Sequence, residues 1–279
     1  MHTRWSLELT RLLNPSSGTR SVKIKDLEYH VLPCNYQSSL LNIAENIDKL
    51  IVSGDIQKHE NNSTASLFSI DNVTFFGKHV RFNQKSFDRR LRYFIQPSRS
   101  FWTAVVAQKM AQAGIPTPRV FAVGERRAFH LISDSYIVTE ALTNAQMLHT
   151  VVSHHPNNIE FLEKAARLLR QLHDAGITHG DAKLANFYVQ DKTWGLWDLD
   201  SAQIFAQTVP LKWIVKDIGR LLSSFIVTVD EQPNSKTEFM NTKKIAEALA
   251  NAYGIDTHKF LPFYYSYWLK KIKLTHDFG

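Results

Sequence analysis

The sequence predicts an α+β fold in two lobes: a small β-rich lobe over residues 1–139 with one main helix, and a larger, mainly helical lobe over residues 140–279. Three observations lead to this prediction. Short β-prone runs separated by turn residues dominate the first half, and apolar residues at three- and four-residue spacing dominate the second. Within the second lobe, residues 179–198 carry polar side chains at offsets that single out a functional site.

The first lobe is predicted from its strands, its turns and its helix. Asp71-Asn72 separates two β-prone runs and is typical of a tight hairpin turn. The main helix closes at Gly114, and Ile115-Pro116-Thr117-Pro118 then requires an extended exit. We predict strands at residues 26–32, 66–70, 73–80, 120–123 and 136–139, helices at 40–52 and 100–113, and a connection at 124–127.

The segment His179-Gly-Asp-Ala-Lys-Leu-Ala-Asn186 and the later Asp198 carry the predicted chemistry. Phosphoryl transfer from ATP requires one carboxylate that orients the attacking hydroxyl. It also requires an amide oxygen and a second carboxylate that hold Mg²⁺ against the triphosphate. Asp181, Asn186 and Asp198 supply these groups in this order, and Lys183 is placed to reach the transferred phosphate. The sequence therefore predicts a kinase that uses ATP and Mg²⁺.

A triplet of His, any residue and Asp also occurs in ordinary surface turns, so the flanking pattern decides between the two interpretations. Residues 159–173 have the spacing of an amphipathic helix that ends at Gly176. Residues 187–189 and 194–197 are short β-prone runs around an Asp191-Lys192 turn. Helix, loop, strand, turn, strand and acidic residue is the order of a kinase C-terminal lobe.

Two further residues are predicted to support this loop. Asp217, near the start of a later helix, is expected to hydrogen-bond the backbone of the catalytic loop; the alternative is an ordinary helix-start Asp, favoured by the helix dipole. His179 is interpreted as structural, with a hydrogen bond to backbone near Asp198.

Composition limits the class of protein. Hydrophobic residues make up 44% of the 279 residues and charged residues 21%, as in folded soluble proteins, and the single Cys34 fits a reducing compartment. No apolar run approaches the roughly 20 residues that span a bilayer. The start of the chain does not have the pattern of a signal peptide. We therefore expect a cytoplasmic protein.

A net charge of +7 and a pI near 9.4 indicate an anionic partner. Much of the excess falls between Lys78 and Arg99, with interleaved aromatic residues. The alternatives for this stretch are a solvated basic helix, a nucleic-acid site, an anionic membrane face and a site for a phosphorylated substrate. Residues 263–273, where a run of aromatic residues is followed by lysines, are either an interfacial helix or part of the C-lobe packing.

Several segments follow the pattern of a known family. They are Arg81-Phe-Asn-Gln-Lys-Ser86, Pro97-Ser-Arg99, Gly114-Ile-Pro-Thr-Pro118, Tyr136-Ile-Val-Thr-Glu140, His179 to Phe187, and Trp197-Asp-Leu-Asp-Ser-Ala202. Here the chain resembles the bacterial lipopolysaccharide core kinases, the Kdo and heptose kinases of the protein-kinase-like superfamily. The resemblance runs from about Ser66 to Leu222.

The resemblance implies a protein-kinase-like fold and phosphorylation of an inner-core sugar hydroxyl at the cytoplasmic face of the inner membrane. It implies Asp181 as catalytic carboxylate, Asn186 and Asp198 as Mg²⁺ ligands, and a hinge at Glu140. The lysine that holds the nucleotide phosphates is assigned to Lys78. The implied partners are a core glycolipid and the anionic membrane surface. We expect no nucleic acid and no obligate protein partner.

The chain departs from the usual kinase pattern at several points. Gly180 replaces the Arg that reads an activation-loop phosphate, which favours a constitutively formed site. The family alignment would place the nucleotide lysine at Val80, which shares a strand face with Lys78. The helix at 100–113 contains no Glu for the usual ion pair, and the loop at 60–65 contains no glycine.

These departures keep two alternatives open. One is a kinase-fold scaffold with weak or no catalysis. The other is a small-molecule phosphotransferase of the aminoglycoside or choline type, for which an acidic acceptor pocket would be expected.

If the basic stretch engages an anionic surface, Arg89→Glu with Arg90→Glu should weaken association with anionic vesicles, and the difference should shrink as salt rises. Vesicle co-sedimentation measures the effect. The adjacent pair Lys243→Glu with Lys244→Glu makes the same change in net charge outside the stretch. Unchanged partitioning of the Arg89 and Arg90 variant would return these residues to the solvated-helix interpretation.

Overall fold

The computed structural model describes residues 2–82, 93, 96–128, 131–230 and 239–256, which form two compact units. The first comprises the described residues up to 109 together with 118–143. The second comprises 110–117 together with the described residues from 144 onward. The predicted lobes at 1–139 and 140–279 stay a prediction. Lys85, Arg89, Arg90, Arg92 and residues 263–273 lie outside the described part of the chain.

The first unit is built on an antiparallel sheet, for which the described residues give the order β1-β2-β6-β7-β5-β4-β3. The predicted hairpin turn is present between β4 and β5, where Asp71 and Asn72 both have positive φ. The strands are β1 Arg20–Ile24, β2 Leu27–Val31, β3 Asp55–Glu60, β4 Ser63–Ile70, β5 Val73–Arg81, β6 Val120–Ala128 and β7 Leu131–Glu140. All the strands predicted in this lobe are therefore confirmed.

The predicted connection at 124–127 is wrong, because these residues continue β6 and pair with β2 and β7. Their charged side chains are satisfied in the strand, mostly by partners that are remote in sequence. Glu125 is buried and accepts a hydrogen bond from the backbone N–H of Ser98 at 2.5 Å. Ser98 directly precedes the helix Arg99–Gln112. Arg127 contacts the Glu125 carboxylate at 2.6 Å and donates to the carbonyls of Tyr93 and Gln96.

Three helices of this unit precede the third strand: α1 His2–Leu13, α2 Gln37–Asn42 and α3 Ile47–Ser53. The predicted helix at 40–52 is thus split, with a short 3₁₀ turn at Ala44–Asn46. Its apolar stripe is preserved, and it packs into a core with one face of the sheet. The buried members from both sides are Leu40, Ala44, Ile47, Ile51, Tyr29, Phe68, Phe75, Tyr136 and Val138.

The main helix of the first lobe is α4 Arg99–Gln112, as predicted. Gly114 follows it with φ +70°, and the N–H of Ile115 returns to the carbonyl of Met110 at 2.9 Å. A left-handed residue at this position is the usual end of a helix that stops at glycine. The extended exit then lets the carbonyl of Pro116 accept from the N–H of Leu196 at 3.0 Å.

The second unit combines helices with two small antiparallel sheets, ordered β11-β10-β8 and β12-β9 in the described residues. Its helices are α5 Leu148–His154, α6 Glu160–Asp174, α7 Leu211–Asp230 and α8 Phe239–Tyr253. Its strands are β8 Gln146–Met147, β9 Ile177–Thr178, β10 Phe187–Gln190, β11 Thr193–Leu196 and β12 Gln203–Ile204. No helix in the described residues is long and apolar enough to cross a membrane.

The elements that flank the predicted catalytic loop form as expected. The helix predicted at 159–173 is α6, whose apolar positions are buried, and Gly176 follows it with φ +74°. The turn predicted between β10 and β11 has Asp191 and Lys192 at φ +49° and +68°. Left-handed residues at both positions match the twist of a two-residue hairpin.

Gly195 of β11 is required by its cross-strand neighbour, Tyr188 of β10, because a Cβ at 195 would lie 2.3 Å from the Tyr188 ring. Gly195→Ala should therefore lower the free energy of unfolding by about 1–3 kcal/mol, the usual cost of overpacking. Denaturant unfolding measures this. In a Tyr188→Val background, where the ring is absent, the same change should cost much less. An equal cost in both backgrounds would contradict the steric explanation.

Candidate active site

The predicted catalytic loop connects β9 to β10, and its backbone path requires Gly180. Gly180 has φ +78°, and a Cβ at this position would lie 2.3 Å from the carbonyl oxygen of Ser201. Both the backbone conformation and the space therefore exclude a side chain. This gives a physical reason for the absence of the Arg that regulated kinases carry here.

Asp217 of α7 accepts hydrogen bonds from the backbone of this loop, as the sequence predicts. Its Oδ1 accepts from the N–H of Gly180 at 2.8 Å, and its Oδ2 accepts from the N–H of His179 at 2.8 Å. Asp217 is fully buried, and a carboxylate in such a place requires donors for its oxygens. The interpretation of Asp217 as an ordinary helix-start residue is therefore excluded.

A third donor to Asp217 comes from His173 of α6, whose Nε2 lies 3.1 Å from Oδ2. Tyr253 of α8 lies on the other side of this imidazole, with its hydroxyl 2.8 Å from Nδ1. Burial raises the pKa of Tyr253, so its phenol stays protonated and donates. His173 then accepts at Nδ1 and donates from Nε2, which links three helices through one carboxylate.

His179 has the structural role predicted for it. The ring is buried; Nδ1 accepts from the N–H of Asp181 at 3.3 Å, and Nε2 donates to the carbonyl of Trp197 at 2.9 Å. Two further bonds join the same segments. The indole N–H of Trp197 donates to the carbonyl of Ala185 at 2.7 Å, and the backbone N–H of Trp197 donates to the carbonyl of Asn186 at 3.1 Å.

Asp181 is surrounded by donors. The Nδ2 of Asn186 donates to the backbone carbonyl of Asp181 at 2.8 Å and lies 3.4 Å from Oδ2. The ammonium of Lys183 lies 3.5 Å from Oδ2, and the guanidinium of Arg220 lies 2.7 Å from Oδ1. The Asp181 side chain remains 23% exposed, and because Oδ1 is buried, Oδ2 is the carboxylate oxygen that can receive a ligand.

Asn186 and Asp198 fit a Mg²⁺ site that is completed by phosphates. Because Nδ2 of Asn186 donates to Asp181, the amide presents Oδ1 on its other side. Asp198 is exposed and has φ +56° and ψ +60°, directly after the Trp197 residue that bonds the loop. Mg²⁺ takes oxygen ligands and is usually held by one or two protein groups with substrate phosphates. The described residues contain no cluster of three His, Cys, Asp or Glu that would bind a metal alone.

The predicted nucleotide residues lie in the first unit. Lys78 of β5 pairs with Ala65 and Ile137 and is partly exposed, on the sheet face opposite buried Phe75 and His79. Val80, the alternative position, packs against the Phe82, Tyr93 and Ile132 cluster. Because Val80 lies in an apolar environment, Lys78 is the better candidate for the residue that holds the nucleotide phosphates.

Glu140 ends β7 as an exposed residue whose own backbone N–H is already used. That N–H donates to the carbonyl of Arg119 at 2.8 Å, and the Glu140 carboxylate accepts from the N–H of Arg119 at 3.2 Å. If adenine binds here, it must therefore use the carbonyl of Glu140 or the backbone of the next residues. The roles of Lys78, Glu140, Asp181, Lys183, Asn186 and Asp198 all stay predictions.

Sequence reasoning missed two side chains that contact the loop, Arg220 and Ser224. The Ser224 hydroxyl accepts from the N–H of Leu184 at 2.9 Å. A signal was available, because residues three and seven positions after Asp217 lie on the same face of a helix. Once Asp217 is placed against the loop, Arg220 and Ser224 are expected to point the same way.

A family-wide sequence model described as the lipopolysaccharide kinase (Kdo/WaaP) family matches residues 64–253, more than half of the chain. The 3-deoxy-D-manno-octulosonic acid kinase of Haemophilus influenzae is 28% identical over 134 residues, 47% of this chain and 55% of that protein. The lipopolysaccharide core heptose(I) kinase WaaP of Escherichia coli K12 is 28% identical over 147 residues, 47% of this chain and 54% of that protein.

The chain thus spans about half the length of the curated relatives it matches. Among solved structures, WaaP in complex with acyl carrier protein is similar at a TM-score of 0.57 and 20% identity, over 82% of this chain and 90% of that one. At 20% identity, this similarity shows that the two proteins share a fold and nothing more. The predicted α+β, protein-kinase-like fold is confirmed.

Replacing Asp217 by Asn should destabilise the protein and displace the loop. The amide has one oxygen to offer where the carboxylate accepts three bonds, and its NH₂ would face N–H donors. We expect a loss of about 3 kcal/mol in the free energy of unfolding, as for an unsatisfied buried polar group. Denaturant unfolding tests the loss, and faster amide hydrogen exchange at residues 179 and 180 would accompany it. Asp174→Asn, at an exposed pair with Arg170, is the matched control and should change stability by less than about 1 kcal/mol.

Proposed function

This chain belongs to the lipopolysaccharide kinase (Kdo/WaaP) family, and from this premise we propose that it transfers a phosphoryl group from ATP to a sugar hydroxyl, on a Kdo or heptose residue, of the lipopolysaccharide inner core. The observation that carries the proposal is the placement of Asp181. Its carboxylate is partly exposed on a loop that Asp217 fixes through two backbone N–H groups, with Lys183 and Asn186 beside it.

The proposed roles follow from these positions. Asp181 accepts the hydrogen bond of the acceptor hydroxyl and takes up its proton, and Lys183 faces the phosphoryl group in transfer. Asn186 and Asp198 would hold Mg²⁺ through their side-chain oxygens. Magnesium-bound ATP, when present, supplies the phosphoryl group and neutralises part of its charge. The loop bonds from Asp217, His179 and Trp197 keep these groups in place without a phosphorylation signal.

For the nucleotide we propose Lys78 as the residue that holds its phosphates and the carbonyl of Glu140 as a contact to adenine. The turn between β3 and β4, at Asn61 and Asn62, would cover the phosphates. The pKa of Glu60, next to that turn, is lowered mainly by its hydrogen bond and charge interaction with Lys58, and less by its hydrogen bond to Ser63 and by the charge of Lys78.

We further propose that the acceptor is a core glycolipid and that the protein works in the cytoplasm, in peripheral contact with the anionic inner-membrane surface. A net charge of +7 supports this. The start of α7 also offers a suitable surface. Lys212 and Lys216 lie 6.0 and 5.0 Å from the centre of the Trp213 ring, beside Leu211, which is 41% exposed. An aromatic ring flanked by lysines suits the interface of an anionic bilayer.

The two other functions are less well supported. A phosphotransferase for cationic acceptors would need carboxylates around the attacking hydroxyl, whereas Asp181 has Lys183 and Arg220 as its neighbours. A non-catalytic scaffold has no need of the catalytic set, and Asp181, Lys183, Asn186 and Asp198 are all retained.

Asp181→Asn should abolish transfer while the fold persists, because the amide cannot accept a proton. The measurement is intact mass spectrometry of core oligosaccharide from a deletion strain of the host complemented with wild type or variant. The expected result is loss of the mass of one phosphoryl group in the deletion strain and with Asp181→Asn, and its recovery with wild type. Asp191→Asn, in the exposed β10–β11 turn where Asn also tolerates positive φ, is the matched control and should restore the phosphoryl group.

A core of unchanged mass in the deletion strain would overturn the assignment. Thermal-shift titration with Mg-ATP then separates the remaining functions, because a ligand that binds the folded state raises its melting temperature. Stabilisation would point to another acceptor, and its absence at millimolar nucleotide would point to the scaffold.

A further inference from the structure

We propose that Arg220 is an acceptor-recognition residue: its guanidinium binds an anionic group that lies close to the hydroxyl to be phosphorylated, so that the site selects acidic acceptors. This inference rests on the proposed function, since it assigns Asp181 to the acceptor hydroxyl. It is based on the ion pair between Nη2 of Arg220 and Oδ1 of Asp181, which are 2.7 Å apart. The sequence motif of the kinase loop does not predict this contact.

The position of the guanidinium places it within reach of an acceptor. A hydroxyl that docks on Asp181 lies about 3 Å from a carboxylate oxygen. Oδ1 is buried, so the hydroxyl must bind Oδ2, about 2.2 Å from Oδ1 within the carboxylate. Arg220 is itself 2.7 Å from Oδ1, so the guanidinium and the hydroxyl are separated by at most about 8 Å. Substituents on neighbouring carbons of a sugar fall within this distance of a ring hydroxyl. A carboxylate or phosphate on the same sugar or the next one can therefore meet Arg220.

Arg220 also has donors to spare. A guanidinium carries five N–H groups in a planar fork, and the fork binds carboxylate or phosphate through two parallel bonds. The described residues give Arg220 only one ion pair, and 39% of its side chain is exposed. It can thus keep its contact with Asp181 and bind a second anion at the same time.

The charges around Asp181 favour an anion over a cation. Lys183 and Arg220 face one carboxylate oxygen each, so the local sum is positive. Lys183 has the transferred phosphoryl group as its partner in the proposed chemistry. Asp217 is buried and engaged by three donors, and Asp198 is assigned to the metal, so neither carboxylate neutralises Arg220. The guanidinium of Arg220 can therefore bind an anionic group of the acceptor.

Arg220 is held in register with the loop by the helix that carries it. Asp217, one turn earlier on α7, binds the backbone of His179 and Gly180, and Ser224, one turn later, binds that of Leu184. The backbone of Arg220 is therefore fixed relative to the loop, and the ion pair with Asp181 places its guanidinium before any acceptor arrives. Such preorganisation reduces the entropy that is lost when a charged ligand is bound.

The test compares acceptors and variants in steady-state kinetics with the full chain. The acceptors are a Kdo-containing core glycolipid, the same glycolipid with its sugar carboxylates converted to amides, and the same glycolipid with its phosphates removed. The variants are Arg220→Gln and Arg220→Lys. Arg167→Gln, on an exposed face of α6 and paired with Glu163, is the matched loss of one arginine.

We expect Arg220→Gln to raise KM for the intact acceptor about tenfold to a hundredfold, as for loss of a charged hydrogen bond, with a much smaller change in kcat. One of the two modified acceptors should show this rise already with wild type and be insensitive to Arg220→Gln; which one identifies carboxylate or phosphate as the ligand. Arg220→Lys should recover part of the affinity, and KM for ATP should stay unchanged.

An equal loss on all three acceptors, mainly in kcat, would overturn the proposal and leave Arg220 as a residue that only positions Asp181. A wild-type preference that persists in Arg220→Gln would overturn it as well. Failure of wild type on every acceptor would instead refute the proposed function. If Arg220→Gln does not fold, as judged by its melting curve, Arg220→Lys carries the same comparison, because it keeps the charge and loses the fork.

Discussion

A single buried carboxylate, that of Asp217, determines where the predicted catalytic loop lies. It is removed from water, so each of its oxygens needs donors, and those donors are the N–H groups of His179 and Gly180 and the imidazole of His173. The loop cannot move without leaving this charge unsatisfied, and neither can α6 or α8, which His173 and Tyr253 attach to it. The free energy that would be lost by breaking these bonds is what makes the position of Asp181 definite.

This arrangement orders the predicted catalytic loop through contacts within the chain. In regulated kinases an Arg in the catalytic loop waits for a phosphate to order the loop. In this chain Gly180 packs against the backbone of Ser201 in a space that admits no side chain. The order that a phosphate would supply comes from hydrogen bonds that are already made, through Asp217, His179 and Trp197.

Much of the fold and of the candidate site could be predicted from the sequence. The features that could not be predicted depend on contacts between residues remote in sequence. Local signals were reliable: the Asp71-Asn72 and Asp191-Lys192 turns, the end of α4 at Gly114, and the amphipathic α6 depend on near neighbours. The family resemblance, drawn from spaced motifs, is confirmed by the match over residues 64–253. The connection at 124–127 was wrong because partners remote in sequence hydrogen-bond its charged side chains, as the backbone N–H of Ser98 does for Glu125. Arg220 was missed for the same reason, since its partner Asp181 is remote in sequence.

The order of strands in the first sheet bears on how the protein acquires its structure. The pairing of β4 with β5 joins residues that are adjacent in the chain, and such hairpins close within microseconds. The pairing of β2 with β6 does not: the ion pair at its end, Asp26 with Arg126, joins residues 100 positions apart. Contacts of this range slow folding, because the intervening chain must be ordered first. On the ribosome, β1 and β2 therefore wait for β6 to be synthesised, and an unpaired strand edge is exposed to aggregation during that interval.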